Sequence, residues 1–319
     1  MTLRIALIGA AASLLTAFQA SAQDVIRVAA PHPTALQSTP IRLGEMLGFF
    51  EKENIKVETI FTQGGSDIQN AVISGSVDIG LQTGMAGVLS AIQQGAPVKI
   101  ISADMTGAGD FYWYVRADSD IQSFADLQDN ETIGFSRPGS SSELVVKALI
   151  EHNGAKATGL PSGSPPETLT QVMSGQVDVG WGVPPVPKEV AEGTLRIVAR
   201  GNDVPTLKAQ TVRVNIANAD YLENNRETVE RFLTALDATI DALYEDPKAL
   251  AAAAELIKVD EASARQILTE FFPRDSMNLG TIGDLDGAIA QATANKQLRG
   301  ELSDEQKSEI TQTVKELND

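Results

Sequence analysis

The sequence predicts an α/β protein with two similar lobes, each a mostly parallel sheet flanked by helices, and with a helical C-terminal region. Three observations support this class. Short apolar segments alternate with amphipathic ones from residue 25 to residue 216, as in βαβ units. Segment 72–80 recurs as segment 172–180 with six of nine positions identical. The length of 319 residues suits about two domains at roughly 150 residues each.

The first part of the chain reads as alternating strands and helices. Gly75 is placed to end one helix in the left-handed conformation, and Gly95 with Pro97 ends another. The predicted elements are strands 25–30, 55–61, 77–81 and 98–103 and helices 41–52, 67–74 and 85–94. This order predicts a sheet with helices on both faces.

The second part continues the pattern and then becomes helical. The predicted strands are 111–116, 132–135, 177–181, 195–199 and 211–216, and the predicted helices are 123–127, 141–152, 166–174 and 186–192. From residue 220 onward the apolar spacing predicts helices almost throughout, with Asn225, Asp246, Asp260 and Ser303 as the expected N-caps.

The internal repeat is the most informative pattern. Val72-Ile73-Ser74-Gly75-Ser76-Val77-Asp78-Ile79-Gly80 is matched by Val172-Met173-Ser174-Gly175-Gln176-Val177-Asp178-Val179-Gly180. Each copy reads as a helix end, a glycine cap, a short buried strand and a turn. A separation of 100 residues is too long for a solenoid, so one copy in each lobe is expected. Asp78 and Asp178 are expected to bind the backbone of the turn rather than ligand.

Composition excludes several classes of function. The net charge of −17 and the pI of about 4.5 argue against nucleic acid, which needs a basic face. The absence of cysteine excludes disulfides, thiol catalysis and cysteine-ligated metal sites. Two histidines leave little for a histidine metal site. No cofactor and no metal are expected.

Residues 1–22 have the pattern of a secretory signal peptide. Arg4 supplies the positive charge, residues 5–18 are apolar, and Ala20-Ser21-Ala22 fits the cleavage site. An uncleaved anchor is the alternative, although the apolar run is shorter than the ~20 residues that span a bilayer. The sequence therefore predicts a periplasmic protein, cleaved near Ala22 and monomeric.

The loops after the strands are the candidate ligand site, because ligands of open α/β sheets bind at strand ends. Two facing lobes would bring these loops together in a cleft. The candidate ligand-binding residues are His32, Thr34, Gln37, Gly65, Ser66, Thr83, Gly84, Met85, Asp104, Arg137, Gly139, Ser140, Ser141 and Trp181.

Segment 136–143 has the most specific chemistry of these loops. Glycine and serines at a helix start offer free N–H groups, hydroxyls and the positive end of the helix dipole. Arg137 adds a cation suited to a carboxylate, sulfonate or phosphate. The same Ser-x-x-Glu pattern is also an ordinary capping box, so both interpretations remain open.

Four stretches resemble the periplasmic substrate-binding proteins of ABC importers. They are residues 47–57, residues 71–101 with the Ser-Gly-x-Val-Asp-Ile-Gly core, residues 124–141, and residues 174–180. The chain is most similar to the group for nitrate, taurine, aliphatic sulfonates and thiamine-pyrimidine precursors, the NMT1/THI5-like proteins. The resemblance implies a type II-like periplasmic-binding-protein fold.

The resemblance also implies domain limits and a function. Lobe 1 would comprise residues 23–108 and 212–319, and lobe 2 residues 109–211. The protein would capture a small anionic solute such as a sulfonate, nitrate or taurine between the lobes. It would then deliver the solute to a membrane permease driven by a cytoplasmic ATPase.

Two alternatives have different consequences. Fungal pyrimidine-precursor synthases resemble this fold but use a cysteine-rich iron site, and the lack of cysteine leads us to expect a protein that is not an enzyme. No nucleophile elbow or phosphate-binding loop motif occurs either. An exported solute sensor remains open, because sequence does not separate sensing from transport.

Overall fold

The computed structural model describes residues 23–311 and 313, so the predicted signal peptide at residues 1–22 lies outside the described residues. The strands are β1 Asp24–Pro31, β2 Ile55–Thr62, β3 Ile79–Gly84, β4 Val98–Thr106, β5 Tyr112–Arg116, β6 Thr132–Phe135, β7 Thr158–Pro161, β8 Gly180–Gly182, β9 Leu195–Arg200 and β10 Thr211–Asn218. The helices are α1 Thr39–Met46, α2 Phe49–Lys52, α3 Gly65–Ile73, α4 Met85–Gln93, α5 Ser141–Asn153, α6 Pro165–Met173, α7 Lys188–Ala191, α8 Ala219–Glu245, α9 Pro247–Ile257, α10 Glu261–Phe271, α11 Leu285–Ala294 and α12 Asp304–Thr311.

The sheet of lobe 1 has the order β2-β1-β3-β10-β4. Strand β1 pairs parallel with β2 and β3, as βαβ connections require. Strand β10 returns from lobe 2 and pairs antiparallel with β3 and β4. Its side chains are buried from Thr211 to Ala217, so the returning strand forms the centre of the lobe 1 core.

Lobe 2 repeats this topology with its own strands. Strands β8-β5-β9 form an antiparallel set and β6-β7 a parallel pair. A parallel bridge between Ile133 and Val179 joins the two sets into the order β7-β6-β8-β5-β9. Strand β5, which has just crossed from lobe 1, takes the place that β10 takes in lobe 1. The predicted α/β fold class is confirmed, and the crossing strands account for the antiparallel pairs.

The repeated segment forms the same junction in both lobes. Gly75 and Gly175 have φ values of 71° and 73°, and each N–H donates to the carbonyl three residues earlier. Asp78 accepts the Arg27 N–H at 2.8 Å, and Asp178 accepts the Thr132 N–H at 2.8 Å. Both aspartates therefore bind backbone, but it is the backbone of the neighbouring strand and not that of the turn, which was expected.

The C-terminal helices pack on lobe 1. Helix α8 packs against α1 and α2, and α9 packs against α8 and α1. The two crossing segments run side by side, since Gly107 N–H donates to the Gln210 carbonyl at 2.9 Å and Gly201 N–H to the Phe111 carbonyl at 2.9 Å. The domain limits named above remain a prediction. Within residues 23–311 and 313, no helix is both long enough and apolar enough to cross a membrane.

The lobes differ after the repeated strand. In lobe 1, β3 leads directly into α4, whose buried face packs on β3, β4 and β10. In lobe 2, β8 leads into segment 183–187, which contains three prolines, and then into the single turn α7. The helix predicted over 186–192 is therefore much shorter than expected, and it packs on β9.

Candidate ligand-binding cleft

The strand-end loops of the two lobes meet around two adjoining cavities. The inner cavity is lined by Pro31, His32, Gln37, Gly64, Gly65, Gln82, Phe111, Ser136, Ser140, Ser141, Ser142, Trp181, Val183 and Arg213. The outer cavity, of about 610 Å³, is lined by His32, Pro33, Thr34, Ala35, Phe61, Thr62, Gln63, Tyr112, Tyr114, Ser164, Pro165, Pro166, Leu169, Trp181, Gly182, Val183, Pro184, Pro185, Pro187, Lys188 and Glu189. Both lobes contribute to both cavities, so the two form one interlobe cleft.

Serines at the start of α5 form one wall of the inner cavity. Ser142 Oγ lies 3.0 Å from the hydroxyls of both Ser136 and Ser140 and accepts the Ser136 N–H at 2.9 Å. Ser140 Oγ also accepts the Glu143 N–H at 3.2 Å as the N-cap of α5. The loop thus caps the helix and also lines the cavity, and a contact with ligand stays a prediction.

Arg213, which lines the inner cavity, belongs to a buried ion pair. Arg213 Nη2 lies 2.8 Å from Asp110 Oδ1, and the two side chains are 4% and 0% exposed. The guanidinium also lies over the Phe111 ring, 4.8 Å from its centroid. The contact is not aligned as a hydrogen bond, and among the described residues Arg213 Nε has no hydrogen-bond partner. The guanidinium therefore retains donor capacity beside the cavity.

Sequence reasoning missed Arg213. The sequence did contain a signal, because Arg213 lies between Val212 and Val214 in the predicted strand 211–216. An arginine in such an apolar strand needs a counter-charge or a ligand when the strand is buried.

His32 and Trp181 separate the inner cavity from the outer one. Their ring centroids lie 5.8 Å apart, and Phe111 packs 6.2 Å from Trp181. Burial, together with the nearby Arg213 charge, lowers the pKa of His32 to about 4, so His32 is neutral at pH 7. His32 also has φ of 43°, an uncommon conformation outside glycine that often marks functional loops.

The outer cavity is mainly apolar and aromatic. Tyr112 and Tyr114 come from β5, and Tyr112 donates its hydroxyl to the Val183 carbonyl at 3.2 Å. Burial raises the pKa of the Tyr114 hydroxyl, which keeps it neutral. Leu169 and Pro166 of α6 form a second side, and the prolines after β8 form a third.

Direct contacts hold the two lobes against each other at the rim. Arg137 donates to Gln63 and lies 3.6 Å from Asp67 Oδ2, while Ser66 Oγ donates to the Pro138 carbonyl at 2.7 Å. A Cβ atom on Gly84 would lie 2.7 Å from Ser141 N. The cleft is therefore closed, and the close approach requires glycine at position 84.

The predicted residues occupy three kinds of position. Those that line the cavities are His32, Thr34, Gln37, Gly65, Ser140, Ser141 and Trp181. Those that contact the opposite lobe are Ser66, Gly84, Arg137 and Gly139. Thr83, Met85 and Asp104 lie within lobe 1, the first two fully buried and Asp104 partly exposed beside a small cavity. A ligand role for each of them remains a prediction.

The three interior residues have other contacts. Thr83 donates its hydroxyl to the Val214 carbonyl at 2.8 Å, and Met85 is buried in the lobe 1 core. Asp104 lines a small separate cavity beside Gln37 and Gln82. Burial raises the pKa of Asp104 to about 6, although the Arg213 charge opposes the rise.

No group of three or more His, Cys, Asp or Glu side chains suited to a metal ion occurs in residues 23–311 and 313. The chain also contains no cysteine, so the described residues do not fit a cysteine-rich iron site.

The fold and the cleft together define a two-lobed protein with the periplasmic-binding-protein fold. The model of the family described as NMT1/THI5 like matches residues 35–250, and the chain belongs to that family. This confirms the resemblance given by the sequence motifs.

Solved structures share the fold at low sequence identity. The alkanesulfonate-binding protein SsuA from Xanthomonas axonopodis pv. citri, bound to MOPS, is 18% identical with a TM-score of 0.71, covering 86% of this chain and 92% of that one. The periplasmic nitrate-binding protein NrtA from Synechocystis PCC 6803 is 12% identical with a TM-score of 0.68, covering 90% and 85%. At this identity the likeness establishes the fold.

A curated relative corrects one expectation. The 4-amino-5-hydroxymethyl-2-methylpyrimidine phosphate synthase of Uromyces fabae is 23% identical over 227 residues, which cover 66% of this chain. The match spans 64% of the length of that relative. Because this relative is an enzyme, it contradicts the prediction that the protein is not an enzyme, and that prediction is wrong. The absence of cysteine excludes a cysteine-rich iron site, but it does not exclude catalysis by other groups. It was therefore not a sufficient reason for that prediction.

Proposed function

We propose that the protein captures a small solute in the interlobe cleft and delivers it to a membrane permease driven by an ATPase. The observation that carries the proposal is the cleft itself. Strand-end loops of both lobes line two adjoining cavities, and the lobes touch directly around them. A solute held from both sides favours the closed state by the contacts that it makes only there. Export to the periplasm belongs to this proposal.

The inner cavity supports an anionic or hydrogen-bond-accepting group on the solute. Arg213 supplies a buried cation, and the N-terminus of α5 supplies serine hydroxyls and backbone N–H groups. Asp110 already neutralises Arg213, so the cavity as a whole carries little net charge. We therefore propose a compact head group rather than a multiply charged anion.

A ligand screen on the full chain tests this function. Sulfonates, nitrate, carboxylates, amino acids and pyrimidines are compared by thermal shift, because a ligand at about 100 times its Kd adds ~2.7 kcal/mol to stability. We expect one class to raise the Tm. Absence of a shift with every class would contradict the proposal.

Tryptophan fluorescence locates the binding event. The chain has two tryptophans, and Trp113 is buried within lobe 2 with its Nε1–H donated to the Gly134 carbonyl at 3.1 Å. In Trp113→Phe, all tryptophan emission comes from Trp181 in the cleft. The stabilising compound should change that emission, and Trp181→Phe is the matched control in which Trp113 should not respond.

A second candidate is synthesis of a pyrimidine phosphate. It is favoured by the name of the curated relative and by the aromatic outer cavity, which suits a planar heterocycle. Because the described residues do not fit a cysteine-rich iron site, no step through iron is derived. Mass spectrometry of reactions with the purified protein tests this candidate, and formation of 4-amino-5-hydroxymethyl-2-methylpyrimidine phosphate would support it.

A further inference from the structure

The outer cavity occupies a place that a helix covers in lobe 1. Gly80 and Gly180 are equivalent in the repeat, and each packs against the strand that has crossed from the other lobe. In lobe 1, α4 follows and covers the sheet. In lobe 2, the proline-containing segment 183–187 follows instead. The sheet face that carries Tyr112 and Tyr114 is left facing a cavity.

The size and lining of this cavity indicate what it holds. Its volume of about 610 Å³ is within the range of roughly 300–1,000 Å³ that is typical of sites for ligands of drug size. Aromatic rings from Phe61, Tyr112, Tyr114 and Trp181 line it, together with prolines and Leu169. A solute as small as nitrate would leave most of this volume unfilled. Burial of a ring system against aromatic walls would stabilise the complex.

The inner cavity sets the size of the other end of the ligand. Its free volume is about 20 Å³, which is room for about one water molecule. Two buried polar atoms at its wall, Trp181 Nε1 and Gln37 Oε1, lack a hydrogen-bond partner within the described part of the chain. Buried polar atoms are normally paired, so these atoms indicate a missing partner at this point. A small head group that accepts from Trp181 would satisfy one of them.

We infer that the ligand is an aromatic amphiphile, with one hydrogen-bond-accepting oxygen of its head in the inner cavity and an apolar body of about two fused rings in the outer cavity. The inference rests on the proposed binding function and narrows it to a ligand class. His32 and Trp181 lie where the head joins the body, because both residues line both cavities.

Matched pairs of probes test the ligand class. Methanesulfonate is compared with naphthalene-2-sulfonate, and acetate with 2-naphthoate, by calorimetric titration of the full chain. At least one naphthyl probe should bind about 100-fold more tightly than its small partner, which corresponds to roughly 100 Å² of buried apolar surface.

A filling variant tests the location. Leu169 lines the outer cavity from α6, and Thr170 is the next residue but exposed. Leu169→Trp should weaken binding of the naphthyl probe at least tenfold and leave the affinity for the small probe unchanged. Thr170→Trp should change neither affinity. Pro166→Trp fills the same cavity from an exposed position. This variant replaces Leu169→Trp in the test if Leu169→Trp does not fold.

The outcomes separate this inference from the proposed function. Small and naphthyl probes that bind equally, or tight naphthyl binding that neither filling variant weakens, would overturn the inference and leave solute binding in place. If no compound in either the screen or the probe pairs binds, the proposed function fails and this inference fails with it.

Discussion

The two lobes share a topology and differ at one junction. Both sheets place a returning strand fourth, β10 in lobe 1 and β5 in lobe 2, and both carry the repeated segment with its left-handed glycine. After that segment, lobe 1 forms a buried helix and lobe 2 forms a proline-containing loop. The shared part stabilises each lobe, and the divergent part creates the outer cavity. Fold and ligand chemistry therefore depend on different residues of the same supersecondary unit.

The repeated aspartates provide the largest expected contrast in stability. Asp78 is mostly buried, accepts the Arg27 N–H and pairs with the Arg27 guanidinium at 2.6 Å. Asp178 is exposed and bonds the N–H and hydroxyl of Thr132. Asp78→Ala should cost about 2–3 kcal/mol, because the part-buried Arg27 N–H and the Arg27 guanidinium both lose a charged acceptor, and Asp178→Ala about 1 kcal/mol. Urea unfolding measures both, and equal losses would contradict the asymmetry between the lobes.

The contact between the lobes gives the next largest effect. A Cβ on Gly87 of α4 would lie 2.5 Å from the Gly139 carbonyl oxygen of lobe 2. Gly87→Ala should hinder closure of the cleft. It should therefore weaken binding of the solute found by the screen about 10- to 100-fold. Stability without ligand should hold, since alanine favours a helix by up to ~1 kcal/mol over glycine.

The matched control for this variant lies at the repeat. Gly75 has open space around it and a left-handed conformation that asparagine tolerates, so Gly75→Asn should leave affinity unchanged. Full affinity in Gly87→Ala would show that binding does not require this closed contact.

Two titratable side chains near Arg213, His32 and Asp104, make the stability of the protein depend on pH in opposite directions. His32 has its pKa lowered from 6.5 to about 4, so the folded state binds fewer protons and stability is lost as pH falls from 6.5 to 4. Asp104 has its pKa raised from 3.8 to about 6, so stability is lost as pH rises from 3.8 to 6. The charged groups that act on them are Arg213, Asp110 and Glu167.

Single substitutions separate the contributions of His32 and Asp104 to the pH dependence of stability. Relative to the unmodified protein, His32→Gln should lose about 2–3 kcal/mol of stability on going from pH 4 to pH 6.5, because only the Asp104 contribution to the pH dependence remains. Asp104→Asn should gain a similar amount over that interval, because only the His32 contribution remains. Urea unfolding at several pH values measures this, and parallel curves for the three proteins would contradict the assignment.

Much of the fold could be predicted from the sequence, because local signals agreed with it. The glycine after each repeated helix, the aspartates that bind the next strand, and the N-caps Asp246 and Asp260 act within a few residues or at one neighbouring strand. Strand β7 was missed, since a four-residue edge strand ending at Pro161 carries almost no periodic signal. Asn225 was expected to start a helix, but it lies at a kink inside α8, which begins after Asn218.

The site was only partly predictable, for a physical reason. Strand-end loops could be recognised, so His32, Gln37 and Trp181 were identified before their neighbours were known. Arg213 and Asp110 meet only because the two crossing segments run side by side. They are about 100 residues apart in the sequence, so no local sequence pattern indicates their contact. The outer cavity depends on a missing helix, which becomes visible only when the two sheets are compared.

The central claim is that a solute binds between the lobes by closing them. Because the chain has no cysteine, Met46→Cys in lobe 1 and Met173→Cys in lobe 2, both at exposed positions, can carry a pair of fluorophores without background labelling. Energy transfer between them is measured while the stabilising compound is added. The account predicts that the interlobe distance shortens and saturates at the same concentration as the rise in Tm. A compound that raises the Tm without changing this distance would contradict it.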